Sequence, residues 1–183
     1  MKRLPSIVFV SLLQTLLKSF TILFFLLLPI LFDEKIITAE QLGFIGAIFI
    51  VGLLVGGSLV TYKLHEVSKV LVLQLASVLL FLGTVLLFWL HDEVFLSLAY
   101  ICVGVATGLG MSTVNALAAE FTVKGMRYKV LAKMAMVMDV MRIVYPFLSG
   151  LIYVATGLRG LILFALFTVA GFVAFTIFYK IRF

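Results

Sequence analysis

Charge is what this sequence has least of. Asp, Glu, Lys and Arg make up 12% of its 183 residues, against 64% hydrophobic residues. A chain of that composition has too little polar surface to coat a water-soluble globule, and its mean hydropathy of +1.31 agrees. Cysteine is represented once, by Cys102 inside an apolar run, which excludes an intrachain disulfide and leaves a small packing residue. The two histidines, His65 and His91, fall at the edges of apolar runs with no second His or Cys at ligand spacing, so no metal site is expected. Met134, Met138 and Met141 share a helical face, the pattern of soft-metal transport, but methionine is a routine gap filler in apolar packing. The stretch Gly108-Leu109-Gly110-Met111-Ser112 has the outline of an intramembrane serine elbow, yet no His lies in another helix to act as base. No phosphate-binding loop is present either. The chain is therefore expected to be no enzyme and to need no cofactor. The formal charge of +6 has no soluble domain on which to form a nucleic-acid patch.

What remains is a set of long, continuous apolar runs. In lipid every backbone N–H and C=O must be paired internally, which leaves helices or a closed barrel, and unbroken runs of about 20 residues favour helices. Six such runs are present: Leu4–Phe32, Leu42–Tyr62, Val70–Leu90, Val94–Ala119, Val130–Tyr153 and Leu158–Ile181. The expected fold class is thus all-α and integral to the membrane, with six transmembrane helices in one domain over residues 1–183. Met1-Lys2-Arg3 resembles the start of a signal peptide, but the run continues to Phe32 without a small-residue cleavage site and is expected to stay as the first helix. Tyr179-Lys180-Ile181-Arg182-Phe183 reads as a cytoplasmic end. Short connections predict that successive helices are antiparallel neighbours.

Alternating the ends of these helices between two sides sorts the charges. Lys2, Arg3, Lys63, Lys69, Lys124, Arg127, Lys129, Lys133, Lys180 and Arg182 fall on one side, and Lys35 and Arg159 on the other. The positive-inside rule makes the first side cytoplasmic, with both termini there, in the cell membrane. Asp33, Glu34, Glu40, Asp92 and Glu93 collect outside. So strong a bias excludes insertion both ways up, and any self-association is expected to be parallel.

Two pairs of small residues, Gly52-x-x-x-Gly56 in the second helix and Gly104-x-x-x-Gly108 in the fourth, permit close approach of backbones. Packing within the chain is the expected use of both.

From the end of the fourth helix onward, the order Glu120, Arg127, Pro146, Gly150, Gly157 and Arg159 resembles the major facilitator superfamily of secondary transporters. In that family the fourth helix ends in Glu, an Arg follows seven residues later, the fifth helix carries Gly-Pro-x-x-Gly-Gly, and Gly-Trp-Arg commonly opens the sixth. Glu120 and Arg127 keep the spacing, Tyr145-Pro146-Phe147-Leu148-Ser149-Gly150 keeps the Pro and last Gly, and Gly157-Leu158-Arg159 keeps the outer pair. Gln41-Leu42-Gly43, Gly52 and Gly56 also sit where the family often has such residues. After the second helix the pattern departs. Where the family has Gly-x-x-x-Asp-Arg-x-Gly-Arg-Arg, an ungapped register from Gly56 puts His65 at the Asp, Ser68 at the Gly and Lys69 at an Arg.

The resemblance implies a half bundle of 3+3 inverted repeats, closer to the amino-terminal of the two bundles that a family member carries in one chain. It implies a small-molecule solute moved by alternating access between two bundles, coupled to an ion gradient, most plausibly protons. It therefore also implies a parallel homodimer or a second six-helix half as partner. Glu120, Arg127, Pro146 and Gly150 are then structural or gating candidates, Pro146 through the bend that a missing backbone hydrogen bond allows. The rival is a membrane scaffold or assembly partner derived from a transporter half.

Ionisable groups at bilayer depth cost roughly 3 kcal/mol each and usually face a cavity or a partner. Lys18, Asp139 and Arg142 lie on the order of 15–20 Å along their helices, near the midplane. Ser11, Gln14, Thr15 and Lys18 make a polar stripe on the first helix. Asp139, Arg142, Pro146 and Ser149 make one on the fifth, and Tyr100, Thr107, Met111 and Asn115 a milder one on the fourth. Gln14, Lys18, Asn115, Asp139 and Arg142 are the candidates for a solute or ion pathway. In one reading Lys18 and Arg142 attract an anionic or polar solute while Asp139 takes up and releases a proton. In the other, Asp139 and Arg142 neutralise each other and Lys18 snorkels or joins them.

Overall fold

An apolar run becomes a helix with defined ends only where its terminal backbone groups find partners, and the segment before the second helix shows how. The Gln41 backbone N–H donates to Thr38 Oγ1 at 3.3 Å while the Thr38 N–H donates to Gln41 Oε1 at 2.9 Å. This reciprocal capping box starts the helix at Ala39, three residues before the apolar run itself begins. Asp92 opens a later helix in the same manner, its Oδ1 accepting from the N–H of Val94 at 2.9 Å and of Phe95 at 3.3 Å.

The computed structural model of the chain describes residues 3–64, 66–121 and 127–182, and their regular structure is helical throughout. The elements are α1 (Arg3–Asp33), α2 (Ala39–Tyr62), α3 (Lys69–Leu86) followed by a 3₁₀ turn (Leu87–Trp89), α4 (Glu93–Phe121) and α5 (Arg127–Arg182). Among the described residues, five helices are long and apolar enough to cross a membrane, against the six expected. The difference lies in α5, which joins the last two expected runs into one element of 56 residues. Its backbone stays helical through Pro146 and breaks at Gly157, where φ is 70° and ψ −167°. That conformation is open to glycine and closed to residues with a Cβ. The segment after Gly157 returns along the segment before it: the hydroxyls of Tyr145 and Thr168 are hydrogen-bonded, and the Tyr145 ring packs on Phe164 with centroids 5.4 Å apart.

Helix α4 is the most buried span and α1 follows it, so these two form the centre of the bundle. From α1, Leu13, Leu17, Phe20, Phe24, Leu27 and Leu31 recur at helical spacing and are all buried. Phe24 meets Phe20 and Tyr100 of α4 at 4.9 and 5.1 Å between ring centroids. The Tyr100 hydroxyl donates to the Phe24 carbonyl at 3.1 Å, so this buried phenol is fully occupied within the core.

The two glycine pairs face each other. A Cβ on Gly56 would lie 2.2 Å from the Val105 carbonyl oxygen, and one on Gly108 would lie 2.2 Å from that of Leu53. Gly52 and Gly104 meet the opposing backbone in the same way, at 2.9 and 2.4 Å. The shared register makes α2 and α4 parallel helices in backbone contact, as close-packed membrane helices require. The expectation of packing within the chain is thereby met.

The outer faces are apolar. Phe44, Ile50, Val51 and Leu54 of α2, and Leu151, Val154 and Phe167 of α5, are exposed. A surface of this extent is untenable in water and ordinary in lipid. Hydroxyls within the helices bond back to their own turns, as Thr15 does to Ser11, Ser77 to Leu73, Thr84 to Leu80 and Thr113 to Leu109, all at 2.7–2.8 Å. These buried hydroxyls are thereby satisfied without a partner helix.

Candidate functional site

The close seam between α2 and α4 fixes α4, and α4 in turn fixes the polar side of α1. A Cβ on Gly110 would lie 2.7 Å from Leu17 Cδ2, so α1 and α4 are closely packed at this level. One turn away on the same side, Gln14 Nε2 donates to Asn115 Oδ1 at 3.1 Å. Gln14 is buried and Asn115 exposed, so the bond ties an interior amide to one at the bundle surface. Gln14 Oε1 and Thr107 Oγ1 are buried and have no hydrogen-bond partner.

Lys18 lies one turn along α1 from Gln14 and is half-buried. Helix α1 packs against α5, which carries the other two ionisable residues singled out at mid-helix. Arg142 Nη1 donates to Asp139 Oδ1 at 2.9 Å, with side-chain exposures of 58% and 64%. The pair thus lies on a face of α5 that the chain itself leaves uncovered. Among the described residues Lys18 has no ion pair or hydrogen bond of its own.

The stripes read from the sequence divide on this geometry. On α1, the Thr15 hydroxyl is tied to the Ser11 carbonyl, and Gln14 reaches α4. On α4, Tyr100 belongs to the core, Met111 is half-buried and Asn115 faces outward. On α5, Ser149 is buried and bonded to the Tyr145 carbonyl at 2.7 Å, Pro146 is half-buried, and Asp139 and Arg142 are exposed. Gly150 is exposed, with nothing within 4 Å of where its Cβ would stand.

Each end of the bundle carries a tie. At the end where α3 begins and α4 stops, the Lys69 ammonium pairs with the Glu120 carboxylate. The base that stands at an Arg of the family pattern thus holds the start of α3 to α4. At the opposite end the Tyr153 hydroxyl donates to Glu34, fastening the segment after α1 to α5. Nothing in the sequence marks this second bond beyond the placing of both residues on one side. His65 and the side chains of Arg127, Lys124, Lys129, Lys133, Met134 and Met138 lie outside the described residues. Among the described residues no three His, Cys, Asp or Glu side chains gather as a metal site.

The sequence model of the Major Facilitator Superfamily matches residues 7–182. The chain belongs to the major facilitator superfamily. No match is found among curated proteins. Membership makes this a multi-pass transporter-family protein of the lipid bilayer, in a family of transporters and not of enzymes. A superfamily half bundle fits a chain of 183 residues.

Proposed function

We propose that this chain moves a small solute across the cytoplasmic membrane by alternating access, coupled to an ion gradient, with protons as the coupling ion. The observation that carries this reading is the Asp139–Arg142 ion pair at mid-helix depth on a face the chain does not cover. An exposed ion pair facing hydrocarbon is costly, whereas one facing a water-filled path between two bundles is not. The second bundle is a parallel copy of the chain or a different six-helix half. Asp139 takes up and releases the coupling proton, and Lys18 and Arg142 meet the solute.

In this reading α5 crosses the membrane twice, which gives six spans in 3+3 inverted repeats. A single helix of its length would run roughly 84 Å, far beyond a hydrocarbon core of about 30 Å. The break at Gly157 and the contact of Tyr145 with Thr168 support two crossings. The distribution of bases supports cytoplasmic termini. Glu120 with Lys69 at one end, and Tyr153 with Glu34 at the other, stand where alternating closure would make and break contacts.

A second reading, a membrane scaffold derived from a transporter half, is favoured by the mutual neutralisation of Asp139 and Arg142 at 2.9 Å. Uptake by proteoliposomes holding the purified chain separates the two. Solute accumulation driven by an imposed proton gradient, and its loss in Asp139→Asn, supports transport. A chain that is folded and inserted but moves no solute supports the scaffold.

A further inference from the structure

We infer that a groove where α2 and α4 begin binds one phospholipid with a primary ammonium headgroup, phosphatidylethanolamine. Its acyl chain lies along the groove and its ammonium meets Glu93. The groove is lined by neither α1 nor α5, so it is separate from the face carrying Asp139 and Arg142.

The glycine seam makes the groove. At Gly52 the two helices are in backbone contact, since a Cβ there would lie 2.9 Å from the Ile101 carbonyl oxygen. Toward the start of both helices larger side chains take over from the glycines. Phe44 and Ile48 of α2 and Val94, Ser97, Leu98 and Ile101 of α4 then line a space of about 390 Å³. Phe44, Val94, Leu98 and Ile101 are exposed, so the groove opens to the outside of the bundle. Apolar walls open to a bilayer take a hydrocarbon chain in preference to water.

Length and depth fit one leaflet. From Ile101 at the seam to Glu93 at the mouth, α4 rises roughly 12 Å over eight residues. Half of a hydrocarbon core is about 15 Å. A chain lying against the seam therefore brings its headgroup to the level of Glu93.

Charge then selects the headgroup. Glu93 is the charged residue of the lining and is exposed. Among the described residues its carboxylate has no ion pair or hydrogen bond. The neighbouring Asp92 is already engaged, its Oδ1 accepting from the N–H groups of Val94 and Phe95. An ionised carboxylate only accepts. It repels the anionic headgroup of phosphatidylglycerol, and the quaternary ammonium of phosphatidylcholine offers it charge but no N–H. A primary ammonium offers both, in a charge-assisted hydrogen bond.

The test is native mass spectrometry of the full chain, released from detergent micelles holding equal amounts of phosphatidylethanolamine, phosphatidylcholine and phosphatidylglycerol with identical acyl chains. Phosphatidylethanolamine is expected to be retained over phosphatidylcholine by up to about fivefold, the scale of an exposed ion pair, and phosphatidylglycerol least. Glu93→Gln should bring phosphatidylethanolamine down to the level of phosphatidylcholine. Glu40→Gln, an acid outside the groove, should leave the preference unchanged. Ser97→Phe fills the groove and should reduce retention of both lipids. Thermal unfolding of each variant in the same detergent reports that it is folded. Equal retention of the three lipids, or highest retention of phosphatidylglycerol, overturns the headgroup assignment. A preference for phosphatidylethanolamine that survives Glu93→Gln, or retention unchanged in Ser97→Phe, places the lipid elsewhere and overturns the site.

Discussion

Gln14 and Asn115, 101 residues apart in sequence, are joined by one amide hydrogen bond of 3.1 Å that links α1 to α4. The bond has two consequences. It holds α1 against α4 one turn from Lys18, and it engages the acceptor of the exposed Asn115 amide while leaving its donor. Its remaining acceptor, Gln14 Oε1, is buried and unpaired. Such an amide contributes little to stability and is better explained by what it orients.

The pair is therefore expected to matter more to ligand binding than to folding. Gln14→Leu with Asn115→Leu should change stability by about 1 kcal/mol or less, because both partners of the bond leave together. The coupling between them in a double-mutant cycle should be about 0.6 kcal/mol, the common value for hydrogen bonds between membrane helices. Unfolding in detergent measures both quantities, and solute-dependent stabilisation in the same samples should fall sharply.

The seam between α2 and α4 predicts a different pattern. Gly56→Ala and Gly108→Ala place a methyl 2.2 Å from an opposing carbonyl, so the helices must separate. A loss of roughly 1–3 kcal/mol is expected for each. Gly43→Ala, on the same helix with nothing within 4 Å, should be neutral or slightly stabilising. Midpoints of thermal unfolding compared among the three variants give the check.

At the end where Lys69 meets Glu120, the pair is partly exposed, so its loss should cost no more than about 1 kcal/mol. Lys69→Glu should nevertheless reduce transport by loosening the start of α3 from α4. The charge swap Lys69→Glu with Glu120→Lys should restore a large part of the rate. Initial uptake rates in proteoliposomes provide the comparison.

The opposite tie makes its own prediction. Tyr153→Phe removes the hydroxyl that donates to Glu34 and leaves the ring in place. Folding should be almost unaffected, while a cysteine at Ile36 should be labelled faster by a water-soluble thiol reagent as the segment after α1 is released. Labelling rates with and without the substitution report this directly.

The helices were legible because long apolar runs have one solution in lipid, and the first four expected spans lie within a few residues of α1 to α4, while the last two run together in α5. Their ends were less so. Thr38-x-x-Gln41 is a capping box in plain sight, but a search for apolar runs starts the helix at Leu42 and passes over it. The glycine pairs announced close packing, whereas their partnership with each other depends on a register that only the assembled bundle sets. Within the candidate site, Lys18, Asp139 and Arg142 stood out by cost alone, since charge at depth needs a reason. The bond between Glu34 and Tyr153 joins residues 119 apart, and no local pattern marks such a pair. Tyr100 ran the other way: on a polar stripe in sequence, it lies in the core because the Phe24 carbonyl accepts its proton.

The central claim is that the face of α5 carrying Asp139 and Arg142 meets water while the rest of the outer surface meets lipid. Its most direct test is cysteine accessibility in a Cys102→Ala chain, which is otherwise free of thiols. Ile143, one turn beyond Asp139, is 75% exposed, and Phe167, on the segment after Gly157, is 79% exposed. Placed singly at these positions in intact membranes, a cysteine should react with a membrane-impermeant thiol reagent at 143 and stay unlabelled at 167, with both reacting once the chain is denatured. Equal protection of the two positions would put the charged face against lipid or buried protein and contradict the account.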